Sequence, residues 1–184
     1  MYQQVPTLLK EAPMKHSLIF IAIALSLAAC SDKPSNTAAA KNPAAPVYLK
    51  AEMARPVSLP ATLGPIDTCV VDTINDQPAK ESNAVADKSK IKLEGWAANI
   101  MLGSTPQDVY IELNGLSQSY IKANTGFKRP DVATAYNKPA VTNAGWIALA
   151  DLSTLGAGSY KMRVVQVTGA TGLVCEAKNS IVIN

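Results

Sequence analysis

Beyond residue 65, hydrophobic and polar positions alternate with a period of two along most of the chain. That is the spacing of strands with one face on a core and the other in water. Thr68–Thr73 turns Cys69, Val71 and Thr73 one way. In Ser89–Ala97, Ile91 and Leu93 alternate with Lys90, Lys92 and Glu94, and in Asp108–Leu113, Val109, Ile111 and Leu113 alternate with Asp108, Tyr110 and Glu112. Asn114-Gly115 predicts a tight hairpin, because both residue types tolerate positive φ, and Ser117–Ala123 is the returning strand. Gly145–Ala150 is a further strand. Ser159–Thr168 sets Tyr160, Met162 and Val164 against Lys161 and Arg163. A second hairpin is predicted at Gly169–Gly172, and Leu173–Ala177 and Ser180–Ile183 complete the pattern. No long helical period intervenes. About seven or eight short strands predict an all-β domain over residues 66–184: an immunoglobulin-like antiparallel β-sandwich, with a small β-barrel as the alternative.

Upstream the composition changes. Residues 31–65 hold six of the twelve prolines and the runs Ala38-Ala39-Ala40 and Pro43-Ala44-Ala45-Pro46. Such a stretch cannot bury enough apolar surface to offset its ordering entropy. Residues 30–65 are therefore expected to be a tether, semi-flexible over 31–60, with room for a short helix near Val47 to Ala54.

Before the tether, Lys15 precedes an apolar run, Ser17–Leu27, which is shorter than the roughly 20 residues a bilayer span needs. It ends in Leu27-Ala28-Ala29-Cys30, which resembles the lipobox of bacterial lipoproteins. The resemblance implies a signal peptide at residues 14–29 and acylation of Cys30. Several acyl chains anchor firmly, since each buried CH₂ contributes about 0.8 kcal/mol. Residues 1–13 carry Glu11 where a leader should be basic, so translation is expected to start at Met14. Ser31 stands where enteric-type lipoproteins with an inner-membrane retention signal carry Asp, so the outer membrane is the expected destination.

With Cys30 lipidated, Cys69 and Cys175 remain. Both fall on the apolar parity of their strands, and an exported compartment is oxidising, so a disulfide between them is expected. Free or metal-binding thiols are the alternative. The antibody spacing is absent: Trp96 lies far beyond Cys69, and Leu173 stands where the tyrosine two residues before the second cysteine would be.

Leu93-Glu94-Gly95-Trp96-Ala97, Asp108–Gly115, Arg129-Pro130-Asp131-Val132-Ala133, Gly145-Trp146 and Gly158–Val164 follow in that order. The succession resembles bacterial β-sandwich modules with a "G-W-A" strand, an "R-P-D-V-A" turn and a late "G-x-Y-x-x-x-V" strand, found in exported and envelope proteins. It implies the fold and assigns no catalytic residue. Family members usually show Gly-Phe where this chain has Gly145-Trp146.

The candidate chemistry is sparse. The one histidine, His16, lies in the leader, which removes histidine-based triads and zinc sites from the mature chain. No catalytic residue, metal or cofactor is expected. Asp72 and Asp76 flank a turn without EF-hand spacing. Net charge +3 is too small for a strongly basic nucleic-acid binder. Possible ligand contacts are Trp96 and Tyr110, both on polar parities and so open to stacking, and the pair Arg129 and Asp131, either a ligand clamp or a hydrogen-bonded corner between sheets. Tyr136 could also stack, and Trp146 is expected in the core. The expected function is that of a non-enzymatic envelope lipoprotein, held to the membrane by its lipid, whose sandwich binds a protein or glycan partner. A blocking lipoprotein, such as a phage-type superinfection-exclusion factor or a periplasmic inhibitor, is the second expectation.

Overall fold

A computed structural model describes residues 45–184. Cys30, the leader at 14–29 and the segment 1–13 lie outside the described residues. The elements run in the order β1 (Leu49–Lys50), β2 (Leu63–Pro65), β3 (Cys69–Ile74), β4 (Gln77–Pro78), β5 (Ser82–Val85), β6 (Ile91–Ala97), β7 (Asp108–Asn114), β8 (Gln118–Phe127), α1 (Pro130–Ala135), a 3-10 turn (Pro139–Val141), β9 (Gly145–Asp151), β10 (Gly158–Thr168) and β11 (Thr171–Ile183).

The architecture is an all-β sandwich. One sheet, here called the front sheet, runs β4-β3-β6-β9, and the back sheet runs β11-β10-β7. β8 belongs to both: its first part pairs with β7 up to Ala123, and its last residues pair with β9 from Asn124. The inward parities meet between the sheets, where Ile91, Leu93, Ile111, Leu113, Trp146, Met162 and Val164 are fully buried. The seven longer strands match the alternation in the sequence. Leu173–Ala177 and Ser180–Ile183 are one strand, broken by a bulge over Ala177–Asn179, where Glu176 pairs with Arg163 but Ser180 pairs with Lys161.

Three short strands depart from the expected antiparallel pattern. β1 runs parallel to β9, and β2 and β5 run parallel to β11. Each is part of a connecting segment laid along an edge that would otherwise be unpaired. The first hairpin also differs. Asn114 pairs with Gln118 across a three-residue turn, and neither Asn114 nor Gly115 has positive φ. Gly115 is needed there for space: a Cβ would sit 2.5 Å from the Ser159 carbonyl oxygen and 2.7 Å from the Tyr160 ring. The second hairpin falls where expected, but its turn is only two residues long: Thr168 pairs with Thr171, and Gly169 has φ +57°.

The disulfide joins Cys69 of β3 to Cys175 of β11, with Cα atoms 6.2 Å apart. It links the two sheets on the side where no strand passes between them, opposite the crossing made by β8.

The largest correction concerns the tether. Residues 48–65 do not hang free of the domain. They form a strap that starts at β1, crosses the back sheet and ends in β2. Glu52 and Tyr120 exchange backbone hydrogen bonds of 2.9 and 2.8 Å. Ala51 and Leu59 are buried, and Leu59 packs with Tyr110, Tyr120, Val165 and Val167 on the outer face of the back sheet. No helix forms near Val47 to Ala54. A proline-rich segment cannot build a core of its own, yet it can cover an apolar face that other strands supply.

Candidate functional site

The outer face of the front sheet has a cover of its own. The chain leaves β8, folds through α1 and the 3-10 turn, and returns as β9. This crossover packs Val132, Ala133, Val141 and Ala144 against Trp96 and Ala98. Trp96 does point outward, as its parity requires, but it is only 7% exposed. Tyr110 is 4% exposed, sealed by the strap, and its hydroxyl bonds Ser58 Oγ at 2.6 Å. The expectation that either ring is an open stacking platform is therefore corrected: each outward face acquired a cover from a segment distant in sequence. Trp146 is in the core, as expected.

Arg129 and Asp131 are together. Arg129 donates from Nε and Nη2 to the two Asp131 oxygens at 2.9 and 2.7 Å, and from Nη1 to Asp72 on β3. Its backbone N–H reaches the Thr142 carbonyl at 2.6 Å. These contacts tie the start of α1 to β3 and to the end of the crossover, the geometry of a corner rather than of an open clamp. Arg129 holds the Asp131 carboxyl down to about 2, and Asp131 first, then Asp72, raises the Arg129 guanidinium. Asp76 is bound to Lys92 Nζ at 2.7 Å, so Asp72 and Asp76 each face a cation from the protein itself.

One open groove, of about 280 Å³, runs along the disulfide side between the edges of β3 and β11. Val70 and Trp96, a cross-strand pair, form one wall. Tyr136 meets Trp96 edge to face, with centroids 5.6 Å apart and planes at 61°. Asp67, Glu176 and Lys178 line the same groove. The β11 bulge carries Lys178 into that wall. Val70 and Tyr136 are partly exposed on the groove, so its rim is apolar and aromatic with charges at its margin.

Beside it stands a feature that strand periodicity cannot reveal. The loop after β6 is pinned by reciprocal Asn99–Ser104 backbone bonds of 2.9 and 3.1 Å, by Asn99 Oδ1 accepting from Leu102 N–H at 3.0 Å, and by Gly103 at φ +63°. Ile100 packs inward against the Trp96 cluster, while Met101 and Leu102 are 92% and 77% exposed. The signal was present in the sequence as three successive apolar residues between Asn99 and Gly103, a run that no strand face explains.

Glu112, a buried charge, accepts from Asn114, Gln118 and Arg163, which saturates one oxygen and makes it part of the back-sheet scaffold. Among the described residues no group of three His, Cys, Asp or Glu side chains converges on a metal site, and no helix is long and apolar enough to cross a membrane. Comparison of the chain with protein-family models, curated proteins and solved structures finds no significant match.

Proposed function

We infer that this protein is a non-enzymatic recognition module of the cell envelope, anchored through acylated Cys30 in the outer membrane, that binds a protein partner at the groove between β3 and β11. The observation that carries the reading is the pair of exposed side chains Val70 and Tyr136 on the groove, with the pinned Met101–Leu102 tip joined to the groove wall through Ile100, which packs against the Trp96 cluster. Aromatic side chains on a cavity with charges at its margin, and exposed apolar side chains on a neighbouring loop, are the composition of protein interfaces. A glycan platform asks for coplanar exposed rings, whereas the aromatic pair here lies at 61° with Trp96 buried. The lipobox-like Leu27-Ala28-Ala29-Cys30 supplies the anchor, and the leader places the disulfide in an oxidising compartment.

Cross-linking in intact envelopes followed by affinity capture tests this. One dominant partner is expected, and its yield should fall about tenfold in a Met101→Asp, Leu102→Asp double variant and in Tyr136→Ala. Undiminished capture by both variants would overturn the groove as the binding surface. Binding of isolated envelope glycans that depends on Tyr136 would replace the protein partner with a sugar.

A further inference from the structure

The strap has two faces, and only one is explained by the domain beneath it. Ala51 and Leu59 point in and are buried. Between them and just before them, Val47, Leu49, Met53 and Val57 point out, with exposures of 72%, 53%, 49% and 105%. Single exposed apolar residues are ordinary on protein surfaces. Four of them within eleven consecutive residues, on a segment held against the sandwich by backbone pairing, are a pattern. Lys50, Glu52 and Arg55 stand among them, all exposed, so the cations outnumber the carboxylate two to one. Arg55 donates to the Pro60 carbonyl, which holds its charge beside the Val57 turn.

We propose that this outer face of the strap rests on the lipid bilayer, with the four apolar side chains at the headgroup boundary and Lys50 and Arg55 on anionic headgroups. The proposal rests on the anchor reading for where the membrane is. Residues 31–46, sixteen in all, separate Cys30 from Val47, a span of at most about 55 Å and nearer 20 Å as a coil. The strap is thus the part of the described domain nearest to the lipid along the chain. Short apolar side chains flanked by cations are the chemistry of interfacial contact, in which long basic side chains lay their stems on apolar surface and keep their heads in water. The strap covers the outer face of the back sheet, whereas the groove opens at the side, between the edges of β3 and β11. A domain seated on its strap therefore leaves the groove open at its side.

The test uses the acylated protein in vesicles of phosphatidylethanolamine and phosphatidylglycerol, with tryptophan placed singly by Met53→Trp, Val57→Trp or Leu102→Trp. Trp96 and Trp146 are buried, so added emission reports the new site. Brominated lipids should quench roughly half of the added emission at positions 53 and 57, the depth expected of interfacial contact, and leave position 102 unchanged. Intact mass reports acylation independently. If the mass shows no acyl group, the anchor reading fails, and the same measurement is made on protein tethered by a maleimide lipid at Cys30, where quenching at 53 and 57 would still support the strap. Unquenched emission at both positions on tethered protein overturns the proposal, as does quenching at 102 alone.

Discussion

Gly95 shows how one missing atom organises the front sheet. It faces inward between Leu93 and Ala97 and pairs with Trp146 across the β6–β9 ladder. A Cβ at Gly95 would lie 2.1 Å from the Val70 carbonyl oxygen and 2.5 Å from the Trp146 ring. The backbone oxygen cannot yield, so Gly95→Ala should destabilise the domain by at least about 3 kcal/mol, read as a shifted denaturant midpoint. A variant with the parental midpoint would mean that the indole does not lie over this glycine. At the corner, Arg129→Ala removes charge-assisted bonds to two partly solvated carboxylates, so a loss of about 1–2 kcal/mol is expected. The Asp131 carboxyl titrates at about 2 in the folded protein, below its usual value near 4 when unfolded. A depressed carboxylate contributes stability that is fully present above the unfolded value and is lost as pH falls through the folded one. Asp131→Asn should therefore melt below the parent at pH 6, and the gap should close between pH 4 and pH 2. A gap that stays constant over that window would remove the ion pair from the account.

Among the elements, the strap and the crossover do the same physical work on opposite faces. Each sheet carries large apolar side chains on its outward parity: Tyr110, Tyr120, Val165 and Val167 on the back, Trp96 on the front. Left bare, each set would be an aggregation-prone patch. Leu59 is the plug of the back face. Its truncation in Leu59→Ala should cost about 2–4 kcal/mol and speed amide exchange over residues 48–60 ahead of the rest of the domain. Uniform acceleration across all strands would instead make the strap an inseparable part of the core. The covers also explain how the sequence misled at Trp96 and Tyr110. Parity stated correctly which way these rings point. Whether outward means exposed depends on what a distant segment lays over them, and no local window contains both partners.

For the whole molecule, the disulfide and β8 close the sandwich from its two sides, one covalently and one by strand exchange. The bridge spans 106 residues between Cys69 and Cys175. In the chain-entropy account, such a closure is worth about 4–5 kcal/mol. Cys69→Ser with Cys175→Ser should lower stability by about that amount, compared with the oxidised parent in guanidinium unfolding. Because Cys69 lines the groove and the bridge joins the strands that form its two walls, the double variant should also weaken partner capture. A double variant with the parental unfolding midpoint would show that β8 alone holds the sheets together.

The chain by itself determined the all-β class, the inward set of each long strand and the pairing of Cys69 with Cys175, because period-two alternation is a local consequence of one-sided burial and an inward cysteine on each of two strands leaves few partners. It also marked Arg129 and Asp131 as neighbours, since a proline between them fixes the turn. Tertiary structure decided the rest: Asp72 as the third member of the corner, the strap on the back sheet, the crossover over Trp96, and the groove between two edges that lie more than a hundred residues apart in sequence. Those features are contacts between surfaces each complete in its own pattern. Their apolar and polar spacing is satisfied before they meet, so nothing in either stretch announces the other.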